Sequence, residues 1–188
     1  MKKPLLIANW KANPETASDA VHIAGAIEES ARQHKHTEVV IAPPFPFLLP
    51  VATHLKQAKL GAQDAFWSGG AYTGMVSWLQ LHGLGVSTVI VGHSERRIYL
   101  KEDDEMVAKK TRALLERRMR AVVCIGERER KEDEVPPIVA EQLRIVLRAL
   151  NRSLVKRLVV AYEPIWAIST NPDAKPDTPE NAFRVMLY

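Results

Sequence analysis

The chain has 188 residues, of which 46% are hydrophobic and 26% are charged, and its formal net charge is +4 at pH 7. This length can bury a sizeable core, the composition is that of an ordinary soluble globular protein, and no segment approaches the roughly 18 apolar residues of a membrane span. We interpret the mild positive charge as a solvated surface, with attraction of an anionic substrate as the alternative, and the basic residues lack the interspersed aromatic residues typical of nucleic-acid binding.

The cysteine content and the N-terminal residues bear on where the protein works. Cys124 is the only cysteine, which excludes an internal disulfide and fits a reducing cytosol. The apolar segment Leu5–Ala8 is far too short for the hydrophobic region of a signal peptide. We therefore expect a cytoplasmic protein that forms a single domain over residues 1–188.

Short apolar or β-branched segments alternate with longer helical patterns along the chain. Each short segment is too short for a helix, and most are apolar on both faces, as buried parallel strands are. The predicted strands are Leu5–Ala8, Val39–Ala42, Leu60–Gln63, Thr88–Val91, Val122–Ile125 and Leu158–Ala161.

The segments between these strands carry apolar residues at helical spacing. The first helix is predicted over Ala17–Arg32, with Asn13 as its N-cap and Pro14 in its first turn. Alternation with a period of roughly thirty residues predicts right-handed βαβ units and a parallel sheet. The other predicted helices lie near Pro46–Leu55, Met75–Leu84, Asp103–Arg118 and Pro137–Leu150, and a last one starts at Thr178.

Two closures of a parallel sheet are compatible with this alternation, an open doubly wound sheet and a closed barrel. A dinucleotide-binding sheet would carry G-x-G-x-x-G after its first strand, whereas Asn9, Trp10 and Lys11 follow the first strand here. Periodicity alone does not decide between the two closures.

Polar residues gather at the ends of the predicted strands, where parallel α/β folds bind their ligands. Lysine, histidine and glutamate at several strand ends together indicate acid–base chemistry on an anion. Taken singly, each has a structural explanation as a surface lysine, a histidine that caps a turn, or a glutamate that ends a strand. The residues are Asn9, Lys11, Gln63, Asp64, His93, Ser94, Glu95, Cys124, Glu127 and Glu163.

Five motifs lie in order along almost the whole chain: Ala8-Asn9-Trp10-Lys11, Gly70-Ala71-Tyr72-Thr73-Gly74, Val91-Gly92-His93-Ser94-Glu95-Arg96-Arg97, Cys124-Ile125-Gly126-Glu127 and Ala161-Tyr162-Glu163-Pro164-Ile165-Trp166-Ala167-Ile168. In these motifs and their order the sequence resembles the triosephosphate isomerase family. The resemblance implies an α/β fold, an incomplete TIM (β/α) barrel with about six parallel βα units. It also implies a homodimer that interconverts dihydroxyacetone phosphate and D-glyceraldehyde 3-phosphate, a step of glycolysis and gluconeogenesis, with no metal and no cofactor.

The resemblance also implies roles for the matching residues. Glu163 is expected to move a proton between two carbons of the triose beside a neutral His93, the pairing for which this family is well known, and Lys11 to bind the substrate and stabilise the enediolate. Asn9 is expected to orient the substrate oxygens, with Glu95 and Cys124 packed behind the catalytic residues, Cys124 as an inert buried thiol. The implied lid consists of Pro164, Ile165, Trp166, Ala167, Ile168, Ser169 and Thr170, and the implied dimer loop of Tyr72, Thr73, Gly74 and Met75.

Two loops differ from the family pattern. After Ile168 the family usually has Gly-Thr-Gly-Lys, whereas Ser169, Thr170, Asn171 and Pro172 follow here, and these residues restrict the backbone more than glycine does. We therefore expect altered closure of the lid. Met75 stands where the family often has a glutamate that forms an ion pair between subunits, which weakens the support for the dimer.

The sequence ends inside the sixth helix, so it lacks the phosphate-binding loops that follow strands seven and eight in the family. We therefore expect a truncated barrel with weak or absent turnover, and the alternative is a catalytically inactive dimeric remnant with a structural or phosphate-binding role. Another phosphosugar isomerase agrees less well with the five ordered motifs. We also expect exposed edges at the first and sixth strands, covered by self-association or by the chain's own C-terminal segment.

Overall fold

The structure, a computed structural model, describes residues 3–130, 136–169 and 173–187. The chain divides into two compact units, the first comprising Met1–Ile90 with Arg117–Arg120 and the second Val91–Glu116 with Ala121–Tyr188. The expectation of a single domain over residues 1–188 stays a prediction. Among the described helices, none combines the length and the apolar character that crossing a membrane requires.

The first unit alternates strands and helices. Its strands pair in parallel in sequence order, with Ile7 opposite Val40, Ile41 opposite Leu60, and Ala62 opposite Val89. Its buried core combines aliphatic side chains of the second, third and fourth strands with apolar residues of the helices and connecting segments. The elements are β1 (Leu5–Asn9), α1 (Ala17–Gln33), β2 (Glu38–Ala42), α2 (Leu48–Ala52), β3 (Lys59–Ala62), α3 (Trp78–Gly83) and β4 (Thr88–Val91), whose last residue belongs to the second unit.

The second unit places three longer helices around two parallel strands. Cys124 and Ala161 are partners in the strand pairing, as are Ile125 and Tyr162. Its core contains the buried side chains of Val107, Leu114 and Val123. The elements are α4 (Ser94–Leu100), α5 (Asp104–Glu116), β5 (Arg120–Ile125), whose first residue belongs to the first unit, α6 (Pro137–Arg148), β6 (Leu158–Tyr162) and α7 (Pro179–Leu187).

The six predicted strands are confirmed to within two residues at either end. The prediction that most are buried on both faces does not extend to β1 and β6, where Leu6 is 58% and Val160 is 42% exposed. The expectation that the edges of the first and sixth strands are covered by self-association or by the C-terminal segment stays a prediction.

The N-cap predicted for the first helix is wrong. Thr16 caps α1, and its hydroxyl accepts the backbone N–H of Asp19 at 3.1 Å. Asn13 instead closes a turn by donating its backbone N–H to the Trp10 carbonyl. Because Thr16 stands directly before the helix, its side chain reaches a free N–H of the first turn, which Asn13 does not.

Two further helices differ from the prediction. A seven-residue helix, α4, begins after Gly92 and His93, which follow the fourth strand. No helix was predicted there, because α4 is too short to display an apolar stripe. The helix predicted from Met75 begins only at Trp78, since Ser77 and Gln80 form a capping box there. The segment near Pro46–Leu55 is a 3₁₀ turn over Phe45–Phe47 followed by the short helix α2.

Candidate active site

Lys11 follows β1 and adopts a left-handed backbone conformation, with φ of 53°. A side chain with a Cβ is disfavoured in this region, so the surrounding contacts must hold the residue there. The side-chain oxygen of Asn9 accepts the Lys11 N–H at 3.0 Å, and the Gln63 amide donates to the Lys11 carbonyl at 2.8 Å. Gln63 also donates to the Ala42 carbonyl at 2.9 Å, so it ties the residue after β1 to the end of β2.

His93 and Glu163 meet within the second unit. The Nε2 atom of His93 lies 3.4 Å from Oε2 of Glu163, and the two side chains are only 12% and 20% exposed. The other carboxylate oxygen of Glu163 accepts the backbone N–H of Ser94 at 2.7 Å. Because Ser94 is the first residue of α4, this carboxylate lies at the positive end of the helix. The structure therefore brings together two of the three predicted catalytic side chains.

The hydrogen bonds of His93 bear on which ring nitrogen carries the proton. Its Nδ1 atom accepts the backbone N–H of Glu95 at 3.3 Å as the N-cap of α4. An acceptor nitrogen needs a lone pair, so this hydrogen bond corresponds to the tautomer that carries its proton on Nε2. The Nε2–H group then faces the Glu163 carboxylate. The Glu95 carboxylate lies 3.6 Å from Nδ1, on the opposite side of the ring.

Cys124 lies beside Glu163 at the end of β5 and is 3% exposed. Burial raises the pKa of its thiol well above the usual value, and the neighbouring Glu163 carboxylate raises that pKa further. A thiol in this environment stays protonated and can donate to the carboxylate. The burial agrees with the prediction, and the role of Cys124 behind the catalytic residues stays a prediction.

The backbone of Gly126 lies very close to the backbone of Glu163. A Cβ atom on Gly126 would lie 2.1 Å from the Glu163 carbonyl oxygen and 2.7 Å from its carbonyl carbon. The Glu163 N–H donates to the Ile125 carbonyl at 2.8 Å. Only glycine fits at this contact, so Gly126 fixes how closely the two strand ends approach each other.

The lid segment begins against a buried carboxylate. Glu127 is 2% exposed and accepts hydrogen bonds from the Trp166 indole at 2.9 Å, from Tyr162 Oη at 2.9 Å, and from Arg130 Nε at 3.1 Å. Burial and the hydrogen bond to Glu127 raise the pKa of Tyr162. The Ile165 N–H donates to the Glu127 carbonyl at 2.9 Å. The sequence showed Glu127 only as a polar residue at a strand end, whereas the structure gives it Arg130 and two aromatic partners.

Part of the predicted lid can be located. Pro164 to Ser169 follow β6, with a 3₁₀ turn over Ile165–Ala167, and the Trp166 carbonyl accepts the Lys175 N–H at 3.0 Å. Thr170, Asn171 and Pro172 lie outside the described residues, so the expected change in lid closure stays a prediction.

A buried ion network supports the residue that precedes His93. Glu102 Oε1 accepts the Gly92 N–H at 3.3 Å, and Arg97 Nε donates to the Gly92 carbonyl at 2.8 Å. Glu102 also pairs with Arg96 at 2.8 Å and with Lys110 at 3.0 Å. Burial alone would raise the pKa of Glu102, but the two cations outweigh it and hold the pKa below its usual value. Sequence analysis missed this network, since only tertiary contacts reveal it.

The predicted dimer loop is an exposed part of the first unit. Tyr72 is 47% and Met75 is 53% exposed, and the ring of Tyr72 lies 4.7 Å from that of Phe66. Gly74 turns the chain at φ of 80°. The loop therefore presents apolar surface, and its contact with a second subunit stays a prediction.

The sequence is similar to known proteins along almost the whole chain. The sequence profile described as triosephosphate isomerase matches residues 4–186. The chain belongs to the triosephosphate isomerase family. The triosephosphate isomerase of Caldanaerobacter subterraneus subsp. tengcongensis is 40% identical, with alignment over 99% of this chain and 75% of the relative. Those of Dictyoglomus turgidum and Endomicrobium trichonymphae are 37% and 40% identical, over 93% and 94% of this chain and 72% of each relative.

Membership of the triosephosphate isomerase family confirms the predicted fold. The chain is an α/β protein of the TIM-barrel fold family, and the residues that the structure describes form six strands that pair in parallel within each unit. Lys11 and Asn9 belong to the first unit, and His93 and Glu163 to the second. The convergence of Lys11 with the His93–Glu163 pair therefore stays a prediction.

Proposed function

We propose that the chain catalyses the interconversion of dihydroxyacetone phosphate and D-glyceraldehyde 3-phosphate. The observation that carries this proposal is the contact between His93 and Glu163, with Nε2 and Oε2 separated by 3.4 Å in a largely shielded position. A carboxylate base beside an N–H donor is the pair that proton transfer next to a carbonyl requires.

The reaction needs a proton to leave one carbon and reach its neighbour. Glu163 takes the proton from the hydroxyl-bearing carbon, and the electron pair of the broken C–H bond forms the enediolate. His93 donates from Nε2 to the oxygens on which negative charge develops, and the Lys11 ammonium group stabilises the same charge. The hydroxyl proton of the enediolate passes to the former carbonyl oxygen beside His93, and Glu163 returns its proton to the adjacent carbon as the new carbonyl forms. The base is thereby regenerated and no redox partner is consumed.

The rest of the proposal concerns substrate binding and context. Asn9 orients the substrate oxygens, and its bond to the Lys11 N–H at 3.0 Å couples this role to the position of Lys11. The lid residues after Glu163 close over the substrate from their anchor at Glu127. The protein acts as a cytoplasmic homodimer in glycolysis and gluconeogenesis, with Tyr72, Thr73, Gly74 and Met75 at the subunit interface.

A coupled assay tests the proposal. We expect Glu163→Gln to lower kcat by about 10²–10⁴-fold, because the amide cannot accept the proton. Glu141→Gln is the matched control, since Glu141 is an exposed α6 residue that pairs with Arg144, and its rate should equal that of the unmodified chain. Equal rates for the Glu163→Gln variant and the unmodified chain would exclude catalysis by Glu163. Retained binding of 2-phosphoglycolate would then favour the phosphate-binding alternative.

A further inference from the structure

Gln142 is a buried polar residue on the inward face of α6. It is 6% exposed and shares that face with the buried valines Val139 and Val146. A glutamine among aliphatic side chains is costly to bury unless its amide is paired on both sides. Its position therefore calls for a partner that offers a donor and an acceptor together.

The partner is the backbone of Gly126. The Gly126 N–H donates to Gln142 Oε1 at 2.9 Å, and Gln142 Nε2 donates to the Gly126 carbonyl at 3.3 Å. These two bonds satisfy both the backbone N–H and the carbonyl of the residue after β5, as a neighbouring strand would. They also fix which end of the side-chain amide faces the N–H group.

The backbone of the same glycine packs against the backbone carbonyl of Glu163. The Glu163 carbonyl lies so close that a Cβ on Gly126 would come within 2.1 Å of its oxygen. A displacement of Gly126 must therefore displace the Glu163 backbone. The Glu163 side chain then changes its distance from Nε2 of His93, which is 3.4 Å in the structure.

We propose that Gln142 is a positioning residue for Glu163, acting through Gly126. The inference rests on the proposed function in one respect only, since Glu163 must be the base for its position to affect the rate. Gln142 does not contact Glu163 itself. Its side-chain amide binds Gly126, and the position of the Glu163 backbone depends on Gly126. Misplacing a catalytic group by about 1 Å can cost roughly 10²-fold in rate.

Two substitutions separate the two hydrogen bonds. Gln142→Met keeps the length of the side chain and removes both bonds, whereas Gln142→Glu keeps the acceptor for the Gly126 N–H. We expect Gln142→Met to lower kcat by about ten- to a hundredfold with KM changed by less than about threefold, and Gln142→Glu to be intermediate. Val146→Ala, on the same buried face, is the control for lost helix packing, and its kcat should stay within about twofold of the unmodified chain.

A second readout does not depend on turnover. The ¹⁵N chemical shift of His93 Nε2 depends on its distance from the Glu163 carboxylate. Gln142→Met should therefore shift this resonance, and Val146→Ala should not. If the unmodified chain shows no turnover, the proposed function fails, and the His93 resonances still decide the role of Gln142. Unchanged His93 resonances in folded Gln142→Met, or a kcat equal to that of Val146→Ala, would overturn the inference. If Gln142→Met does not fold, Gln142→Glu carries the same comparisons.

Discussion

The Oε2 atom of Glu163 lies 3.4 Å from the Nε2 atom of His93, and both side chains are held by the first residues of α4. The Ser94 N–H binds Glu163 at 2.7 Å, and the Glu95 N–H binds His93 Nδ1 at 3.3 Å. One short helix thus fixes both partners, and a substrate oxygen must enter beside the imidazole N–H to react.

The first prediction concerns His93 as a hydrogen-bond donor. His93→Gln should lower kcat by about 10²–10³-fold, because a preorganised donor to the developing oxyanion is lost. The measurement is the coupled isomerase assay with unfolding followed in parallel. His82→Gln is the control, since His82 is an exposed residue of α3, and it should leave kcat unchanged. A rate in His93→Gln equal to that of the control would remove His93 from the mechanism.

The second prediction concerns the charge of Lys11. Lys11→Met should weaken binding of 2-phosphoglycolate by about ten- to a hundredfold, the contribution of one charged hydrogen bond. Lys101→Met is a matched control, because Lys101 is exposed and shares the left-handed conformation, with φ of 56° against 53° for Lys11. Calorimetric titration of both variants checks the prediction, and equal affinities would contradict it.

The third prediction concerns the close contact at Gly126. Gly126→Ala should lower kcat by at least about tenfold, because its methyl group would occupy the position of the Glu163 carbonyl. Gly25→Ala is the control, since no atom lies within 4 Å of the new Cβ and the site is inside α1. That variant should gain about 0.5–1 kcal/mol in free energy of unfolding and keep its activity. An active Gly126→Ala chain would show that this contact does not constrain Glu163.

The fourth prediction concerns the buried network at Glu102. Glu102→Gln should lower the free energy of unfolding at pH 7 by about 1.5–3 kcal/mol, because the charge-assisted hydrogen bonds of this carboxylate with Arg96 and Lys110 would be weakened. Glu116→Gln breaks only the exposed pair with Arg112 on the same helix and should cost about 0.3–0.5 kcal/mol. Urea unfolding of the two variants checks the difference, and equal losses would contradict it.

The same carboxylate predicts a pH dependence of stability. Burial raises the pKa of Glu102, but Lys110 and Arg96 lower it more, so in the folded chain it lies below the ordinary value of 4.5. The ionised group therefore stabilises the folded state above about pH 4.5, and that contribution is lost as the pH falls through the folded pKa. Between pH 7 and pH 3 the free energy of unfolding should therefore fall less with decreasing pH for Glu102→Gln than for the unmodified chain, and an equal fall would contradict the prediction.

The strands could be predicted because each is a short apolar segment between helical patterns, and β4 was predicted with its observed bounds, Thr88–Val91. Caps and short helices were harder, since the choice of Thr16 over Asn13 depends on which side chain reaches a free N–H group. The seven residues of α4 begin with the second half of the motif around His93. Polar and charged residues fill this part of the motif, so no apolar stripe indicated a helix.

The candidate site could be predicted as far as residues stand at strand ends within a motif, as His93 and Glu163 do. Gln63 was found in this way as a polar residue at a strand end, but its contacts with Lys11 and Ala42 could not be predicted, and Gln142 was not found at all. Gln63 and Gln142 are single polar residues whose partners are backbone atoms far away in sequence, 52 residues for Gln63 and Lys11, and 16 for Gln142 and Gly126. A polar residue at an inward position of α6 was the one available signal for Gln142.

The central claim is that Glu163 removes a proton from carbon, and exchange with solvent deuterium tests it most directly. Incubated in D₂O with dihydroxyacetone phosphate, the unmodified chain should place deuterium on the carbon that Glu163 deprotonates, as followed by proton NMR. Glu163→Gln should exchange at least about a hundredfold more slowly. Equal rates of deuterium incorporation with the two chains would contradict the account.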